Sequence, residues 1–419
     1  MQRSGGAVIL MQQSSIKDVI DFTNCKITYA VGNCDILKQM QLVPTLTPFS
    51  ESVITLLNNI SKELLADREA KAYPDVITLA FWMRRASTEA LKNRFFTEEN
   101  NIKKQGRGIV FHISPSNVPV NFAYSLVTGL LCGNANIVRI PSKDFPQVNI
   151  ICRVISKVLD HCKTLAPYIV LVKYGHDSSV NDAFSSIADV RVVWGGNNTI
   201  AELRKSPIKP RATEITFTDR FSLVVIDSDK YMKTENKVEI ANSFYNDTYL
   251  TDQNACTSPR VVVWMGSKIR DAKQLFWKEL QILVDKKYEI QGVQAVNKLT
   301  SSYLLAVAQD NVKKEVSENN LIVRMKVESL TSELIELKDN SGYFFEYECQ
   351  NIMELSELCN DSRCQTVSYM GDKEMFVPLI TSGIRGIDRI VPIGKTMDFD
   401  LIWDGYNLFE RLTRNITLL

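Results

Sequence analysis

Histidine is scarce in this 419-residue chain, with only His112, His161 and His176, and no His-rich neighbourhood forms around any of them. The nine cysteines are odd in number, scattered, and contain no Cys-x-x-Cys pair. Structural zinc and a disulfide framework both lack their usual signature, so no metal is expected and the thiols read as reduced, as in the cytoplasm. Charge of one sign is also missing: the net charge of +1 offers no global field for nucleic acid or a membrane surface, so anion recognition must be local. No apolar run approaches the roughly 18 residues a spanning helix needs, and the run Ala7 to Met11 is too short for a secretory signal core. A cytoplasmic protein without a membrane span is expected. Repeats, low-complexity runs and Gly/Ser linkers are absent as well, so the domains should pack closely.

What is present is ordinary globular composition, 45% hydrophobic and 23% charged, over a length that suits two or three domains. Residues 1–105 read as a helical lead-in. Behind a Ser50 cap, Val53, Leu56, Leu57, Ile60 and Leu64 share one helix face, and a second helix is expected from Pro74 to Phe95, followed by a charged boundary from Thr97 to Lys104. From Gly106 to Asp227, short apolar strands (GIVFHI, NIVRI, YIVLVKY, VRVVW, SLVVID) alternate with helices, the pattern of an α/β domain with a parallel sheet. This block is the expected cofactor domain, with a second α/β domain over 228–390 and a strand and closing helix over 391–419.

Four loops carry candidate chemistry. In SPSNVPV, residues 114–120, two prolines stiffen a turn at the carboxyl end of a strand, where Asn117 is either an oxyanion donor or a cap for the next helix. In RIPSKD, Arg139, Ser142 and Lys143 suit a ribose 2′-phosphate, although charged strand exits are commonly just solvated. Gly195-Gly196 opens a helix after VRVVW, either as a pyrophosphate turn or as a plain strand–helix turn, and the full GxGxxG fingerprint is lacking. Cys256 sits in the polar, small-residue loop DQNACTSP, a setting better suited to a nucleophile than the apolar surroundings of Cys132 or Cys152.

Taken in order, GRGIVFHISPSNVPVNFAYSLVTGLLCGNANIVRIPSKD, VRVVWGG, FYNDTYLTDQNACTSPRVVV and GIDRIVPIGKTMDFDLIWDGY resemble the aldehyde-dehydrogenase superfamily. Within it they resemble the acyl-CoA reductase family typified by the fatty-acid reductase subunit of bacterial luminescence (LuxC-type). The resemblance implies an aldehyde-dehydrogenase-like α/β fold with a Rossmann-type parallel-sheet NADP-binding domain (106–227), an α/β catalytic domain (228–390) and a small oligomerisation element. It makes Cys256 the nucleophile and Asn117, with the Cys256 N–H, the oxyanion hole. It places Arg139, where a lysine is usual, with Ser142 and Lys143 at the adenosine ribose, and Gly195 and Gly196 at the pyrophosphate.

Two departures stand out. The glutamate that activates deacylating water in oxidising members aligns with Thr216, with Glu214 two residues away, and no Glu-x-Phe segment appears near Gly342 to Glu348. The resemblance therefore implies NADPH-dependent reduction of an acyl thioester, on CoA or an acyl carrier, to the aldehyde, with NADH as the alternative cofactor. It also implies a homo-oligomer and an acyl-protein synthetase or ligase as partner. The competing expectations are an oxidative aldehyde dehydrogenase, which Glu214 beside Cys256 would favour, and a non-catalytic scaffold subunit, which an unreactive Cys256 would favour.

Overall fold

A computed structural model of the chain describes residues 19, 20, 22, 23, 25–96 and 101–419. The stretch read for a secretory signal lies outside the described residues. The amino-terminal part supplies β1 (Thr28–Val31) and β2 (Ile102–Gly106), and then come β3 (Ile109–Ile113), β4 (Ala135–Arg139), β5 (Ile169–Lys173), β6 (Val190–Trp194) and β7 (Thr213–Phe217). Five of these, in spatial order β5-β4-β3-β6-β7, form a parallel sheet, and β1 adds antiparallel at the β5 edge. The chain winds outward from β3 to β5, then crosses back to β6. The carboxyl ends of β3 and β6 therefore flank the topological switch point, where such sheets open a ligand crevice.

The second sheet comprises β8 (Phe221–Asp227), β9 (Pro259–Met265), β10 (Lys313–Lys314), β11 (Val323–Lys326), β12 (Tyr343–Glu348), β13 (Cys364–Met370) and β14 (Arg389–Pro392), in spatial order β10-β11-β12-β9-β8-β13-β14. All its pairs are parallel except β10 with β11. A short hairpin, β15 (Ile402–Trp403) and β16 (Tyr406–Asn407), follows, and β17 (Thr413–Thr417) pairs antiparallel with β2.

Several boundaries differ from the sequence expectation. The strand SLVVID, placed in the cofactor domain, is β8 and stands inside the second sheet, between β9 and β13. Its run Leu223 to Ile226 is fully buried on both faces, and such a run carries no periodicity that says which sheet it joins. The segment 391–419 is no separate unit: β14 extends the second sheet, while Leu401, Leu408, Phe409 and Leu412 join the core of the first. The lead-in is not purely helical either. β1 joins the first sheet, and most of the charged boundary that is described, 101–104, runs into β2.

The helix expected from Pro74 to Phe95 breaks into Pro74–Trp82 and Arg85–Phe95. Two side chains of the helix Glu51–Ala66 hold the break: Ser61 Oγ donates to the Ala80 carbonyl at 2.6 Å and Asn58 Oδ1 accepts from the Arg85 N–H at 3.1 Å. Ser50 occupies the N-cap position of that helix but its hydroxyl makes no capping bond. Val53, Leu56, Leu57, Ile60 and Leu64 are all buried as the periodicity predicts, each contributing about 1.5–3 kcal/mol of burial. Among the described residues no helix is long and apolar enough to cross a membrane.

Candidate active site

A cavity of about 370 Å³ lies where the carboxyl ends of β3, β6 and β7 meet the amino ends of β8 and β9. Asn117, Gly195, Gly196 and Cys256 all line it. Four of the seven sequence candidates thus converge from three loops.

Asn117 belongs to the loop after β3. The helix that follows, Asn121–Leu131, has Val120 at its N-cap and no side-chain cap bond, so Asn117 is not the cap. It is exposed to the cavity. Gly195 donates its N–H to the Phe217 carbonyl at 3.0 Å, tying the turn to β7, whereas Gly196 opens onto empty space, with nothing within 4 Å of where a Cβ would sit.

Arg139, Ser142 and Lys143 do not line this cavity. They stand at the end of β4, on the far side of β3 from β6, so about 9–10 Å separates the two strands at ordinary spacing. Arg139 spends its guanidinium on the Tyr174 and Gly175 carbonyls, both at 3.2 Å, and stacks on the Tyr174 ring at 4.5 Å, while Ser142 and Lys143 are exposed.

The Cys256 loop is locked from below. Asp252 and Gln253 both adopt left-handed φ, 50° and 59°, a strained pair of the kind that clusters at functional sites. The buried Gln253 amide compensates with four bonds: it donates to the Pro259 and Tyr343 carbonyls at 2.9 and 3.1 Å and accepts from the Gly342 and Tyr343 N–H groups at 3.0 and 3.2 Å. Ser222 on β8 donates to the Cys256 carbonyl at 2.7 Å.

Strand register adds residues that the sequence did not single out. Against β8, β9 pairs at Pro259 and Val261 and β13 pairs at Cys364 and Thr366, leaving Arg260 and Gln365 as bulged residues on either side. Bulges re-aim side chains beside active sites. Arg260 lines the cavity, its buried guanidinium held by the Asp339 carbonyl and Asn340 Oδ1. Gln365 donates to Asp404, which lines the cavity from the β15–β16 turn. Desolvation raises the Asp404 carboxyl to about 6, Arg220 opposing. Desolvation pushes the Cys256 thiol up to about 12, reinforced by Asp404 and opposed by the Gln365 amide and Arg220. The resting thiol is therefore protonated at neutral pH. Arg220, Lys338, Trp194, Phe217, Phe399 and Trp403 complete a lining of cations and aromatic faces.

Glu214 is not beside Cys256. It faces Arg191 across the β6–β7 pair, accepts from that guanidinium at 2.8 and 2.5 Å and from Arg204 at 2.8 Å, and takes no part in the cavity lining. In the Gly342 to Glu348 segment, Glu346 is buried beneath the Trp264 and Trp277 indole N–H groups at 2.9 and 2.7 Å, and Lys338 is the nearby residue that reaches the cavity.

A model of the acyl-CoA reductase (LuxC) family matches residues 15–415. The chain belongs to this family. It is 24% identical over 307 residues to a long-chain acyl-protein thioester reductase of Aliivibrio fischeri, covering 71% of this chain and 60% of the relative. With a protein of the same description from Photorhabdus luminescens it shares 24% identity over 329 residues, 76% and 65% of the two chains. This LuxC-family chain thus spans about 60–65% of the length of the curated relatives it matches. The solved NAD-dependent benzaldehyde dehydrogenase of Corynebacterium glutamicum superimposes with a TM-score of 0.62 at 13% identity, over 94% of this chain and 95% of that one, which establishes the aldehyde-dehydrogenase fold.

Proposed function

We propose that this chain reduces an acyl thioester, on CoA or an acyl carrier, to the aldehyde through an acyl-Cys256 intermediate. The observation that carries the reading is the meeting of Cys256 and Asn117 in one cavity without Glu214. Cys256 attacks the thioester carbonyl, and the Asn117 amide with the Cys256 N–H receives the oxyanion. Expulsion of the carrier thiolate leaves an acyl-cysteine. Thr216 offers no carboxylate to activate water, and Glu214 is neutralised by two arginines, so the thioester survives for reduction. The oxidative alternative loses its base.

A nicotinamide dinucleotide fits the residues present: Gly196 leaves room a side chain would fill, and Asn121 presents a buried, unpartnered Oδ1 in the lining. Gly195 and Gly196 would hold its pyrophosphate side and Ser142 and Lys143 its adenosine ribose, the exposed lysine favouring NADPH over NADH. When bound, this cofactor supplies the hydride. The aromatic faces of Trp194, Phe217, Phe399 and Trp403 suit an apolar acyl chain. The reading extends to a second copy of the chain and an acyl-activating ligase as partners. The exposed apolar stripe Val293, Val296, Tyr303 and Val307 on the helix Gly292–Ala308 offers a surface for one.

The test is NADPH consumption with a panel of acyl-CoAs, wild type against Cys256→Ala, with the product trapped as an aldehyde adduct. Aldehyde that forms only with Cys256 present is expected. Equal consumption by both proteins would end the covalent mechanism.

A further inference from the structure

The cavity poses a chemical problem: its thiol is protonated at rest, yet no histidine lines it. Two carboxylates do, Asp219 and Asp404. Asp219 is solvent-exposed and pairs with Lys338 at 3.3 Å, which leaves Asp404 as the buried one.

Asp404 occupies an unusual place for a carboxylate. With Gly405 it forms the tip of the β15–β16 hairpin, φ 48° and 72°, the geometry of a two-residue turn that Asn-Gly or Gly-Gly would make equally well. Turn chemistry therefore does not demand an acid. Burial argues against one too, since a desolvated carboxyl is costly. The surroundings are nevertheless arranged around it. Gln365, aimed by its bulge, donates its side-chain amide to Asp404, and the same amide opposes the upward shift of the Cys256 thiol. Arg220, from the β7–β8 loop, stands 3.9 Å from the carboxylate, while its own ion pair is with Asp388. Arg389 on β14 adds a second positive field and Asp388 a negative one.

We propose that Asp404 exchanges the proton of Cys256 with the leaving group, taking it from the thiol as sulfur attacks the thioester and giving it to the departing carrier thiolate. The step rests on the thioester-reductase reading above. In it the S–H bond breaks as the S–C bond forms, and the proton passes to the Asp404 carboxylate. Collapse of the tetrahedral oxyanion then breaks the carbon–sulfur bond to the carrier, and that thiolate takes the proton, restoring the Asp404 carboxylate. Carboxylate with thiol becomes carboxylic acid with thiolate, so charge moves within the cavity but none is added, and Arg220 faces it throughout. A carboxyl near 6 is matched to exchange at neutral pH. Gln365 is a positioning residue that keeps the two groups in one frame.

Thiol release from a panel of acyl-CoAs without NADPH isolates this half-reaction. Asp404→Asn and Asp404→Gly both keep the turn. Each is expected to slow the single-turnover release about 100-fold or more, with loss of the limb near pH 6 and little change in the acyl-CoA concentration that half-saturates the rate. Formate is expected to rescue Asp404→Gly in proportion to its concentration, which a merely structural role would not allow. Release by Asp404→Asn within about threefold of wild type with an unchanged profile, or no rescue by formate, overturns the proposal. If wild type itself releases no thiol, the function reading fails instead, and iodoacetamide alkylation of Cys256 decides between the two. Asp404→Asn must then shift the alkylation midpoint to lower pH, and an unmoved midpoint overturns the pairing.

Discussion

Ser222 holds the Cys256 carbonyl with a 2.7 Å hydrogen bond and, through the same oxygen, accepts the Thr366 N–H at 3.2 Å. One buried hydroxyl on β8 thus ties together the segments that carry both bulges, Arg260 on one side and Gln365 on the other. Ser222→Ala leaves a buried N–H and a loop carbonyl unpaired, a loss of about 1–3 kcal/mol. Urea unfolding should show that loss, and acylation of Cys256 should slow because its loop is no longer anchored. Unchanged stability would mean that the bulges hold themselves.

Gly196 offers a test of the proposed cofactor site that leaves the fold alone. Its φ is −66°, open to any residue, and a Cβ there meets nothing within 4 Å. Gly196→Val should change stability by about 1 kcal/mol or less, yet weaken NADPH binding at least about tenfold by filling the space at the turn. A fluorescence titration of both proteins checks it. Equal affinities would move the pyrophosphate elsewhere.

How much of this was legible in the sequence follows from how far each feature reaches along the chain. The strands and loops of β3 and β6 are local, so the sequence alone places Asn117, Gly195 and Gly196 at strand ends, and the small polar residues around Cys256 mark its loop. Arg220, Gln365 and Asp404 were not singled out. They lie up to 184 positions apart, and only the parallel pairing of β8 with β13 and the closing hairpin bring them together. The Asp404-Gly405 dipeptide announces a turn, but no local pattern says that the turn points inward. For the same reason SLVVID could be read as a buried strand but not assigned to its sheet. Glu214 shows the converse: its proximity in sequence to Thr216 suggested a catalytic role that cross-strand pairing with Arg191 removes.

His112 behind the cavity is a structural histidine with a measurable signature. The Asn136 side-chain N–H₂ donates to the Asn134 carbonyl, which leaves Asn136 Oδ1 as acceptor for His112 Nε2 at 3.0 Å, so the Ser125 hydroxyl donates to Nδ1 at 2.7 Å. Trp194, a cavity wall, in turn donates to Ser125 at 3.2 Å. Burial lowers the imidazole from 6.5 to about 4. The unfolded chain therefore binds this proton first, and stability present above pH 6.5 is lost as pH falls toward 4, by about 3 kcal/mol at most. His112→Gln should flatten the stability profile in that window. An identical slope in both proteins would show that the ring is not neutral in the fold.

Asp247 makes the opposite prediction in an overlapping window. It is buried in the helix Lys237–Thr248, and its two oxygens accept the Gly394 N–H at 2.6 Å and the Thr396 N–H at 3.2 Å, fastening the loop that carries Met397 and Phe399 into the cavity. Desolvation raises its carboxyl from 3.8 to about 6 despite those donors. The folded state then holds the proton more tightly than the unfolded one, so this group's contribution is full below about pH 4 and declines as pH rises to 6. Asp247→Asn removes that slope. It also sets an N–H₂ against one of the two backbone N–H groups, which should cost about 1–3 kcal/mol at neutral pH. With the loop loosened, KM for long acyl thioesters should rise more than kcat falls, because Phe399 lines the cavity and Cys256 is held separately by Ser222 and Gln253. Urea unfolding across pH 4–7 and steady-state kinetics on the same preparations test both halves, and a fall in kcat alone would place the loop in the chemistry instead of in binding.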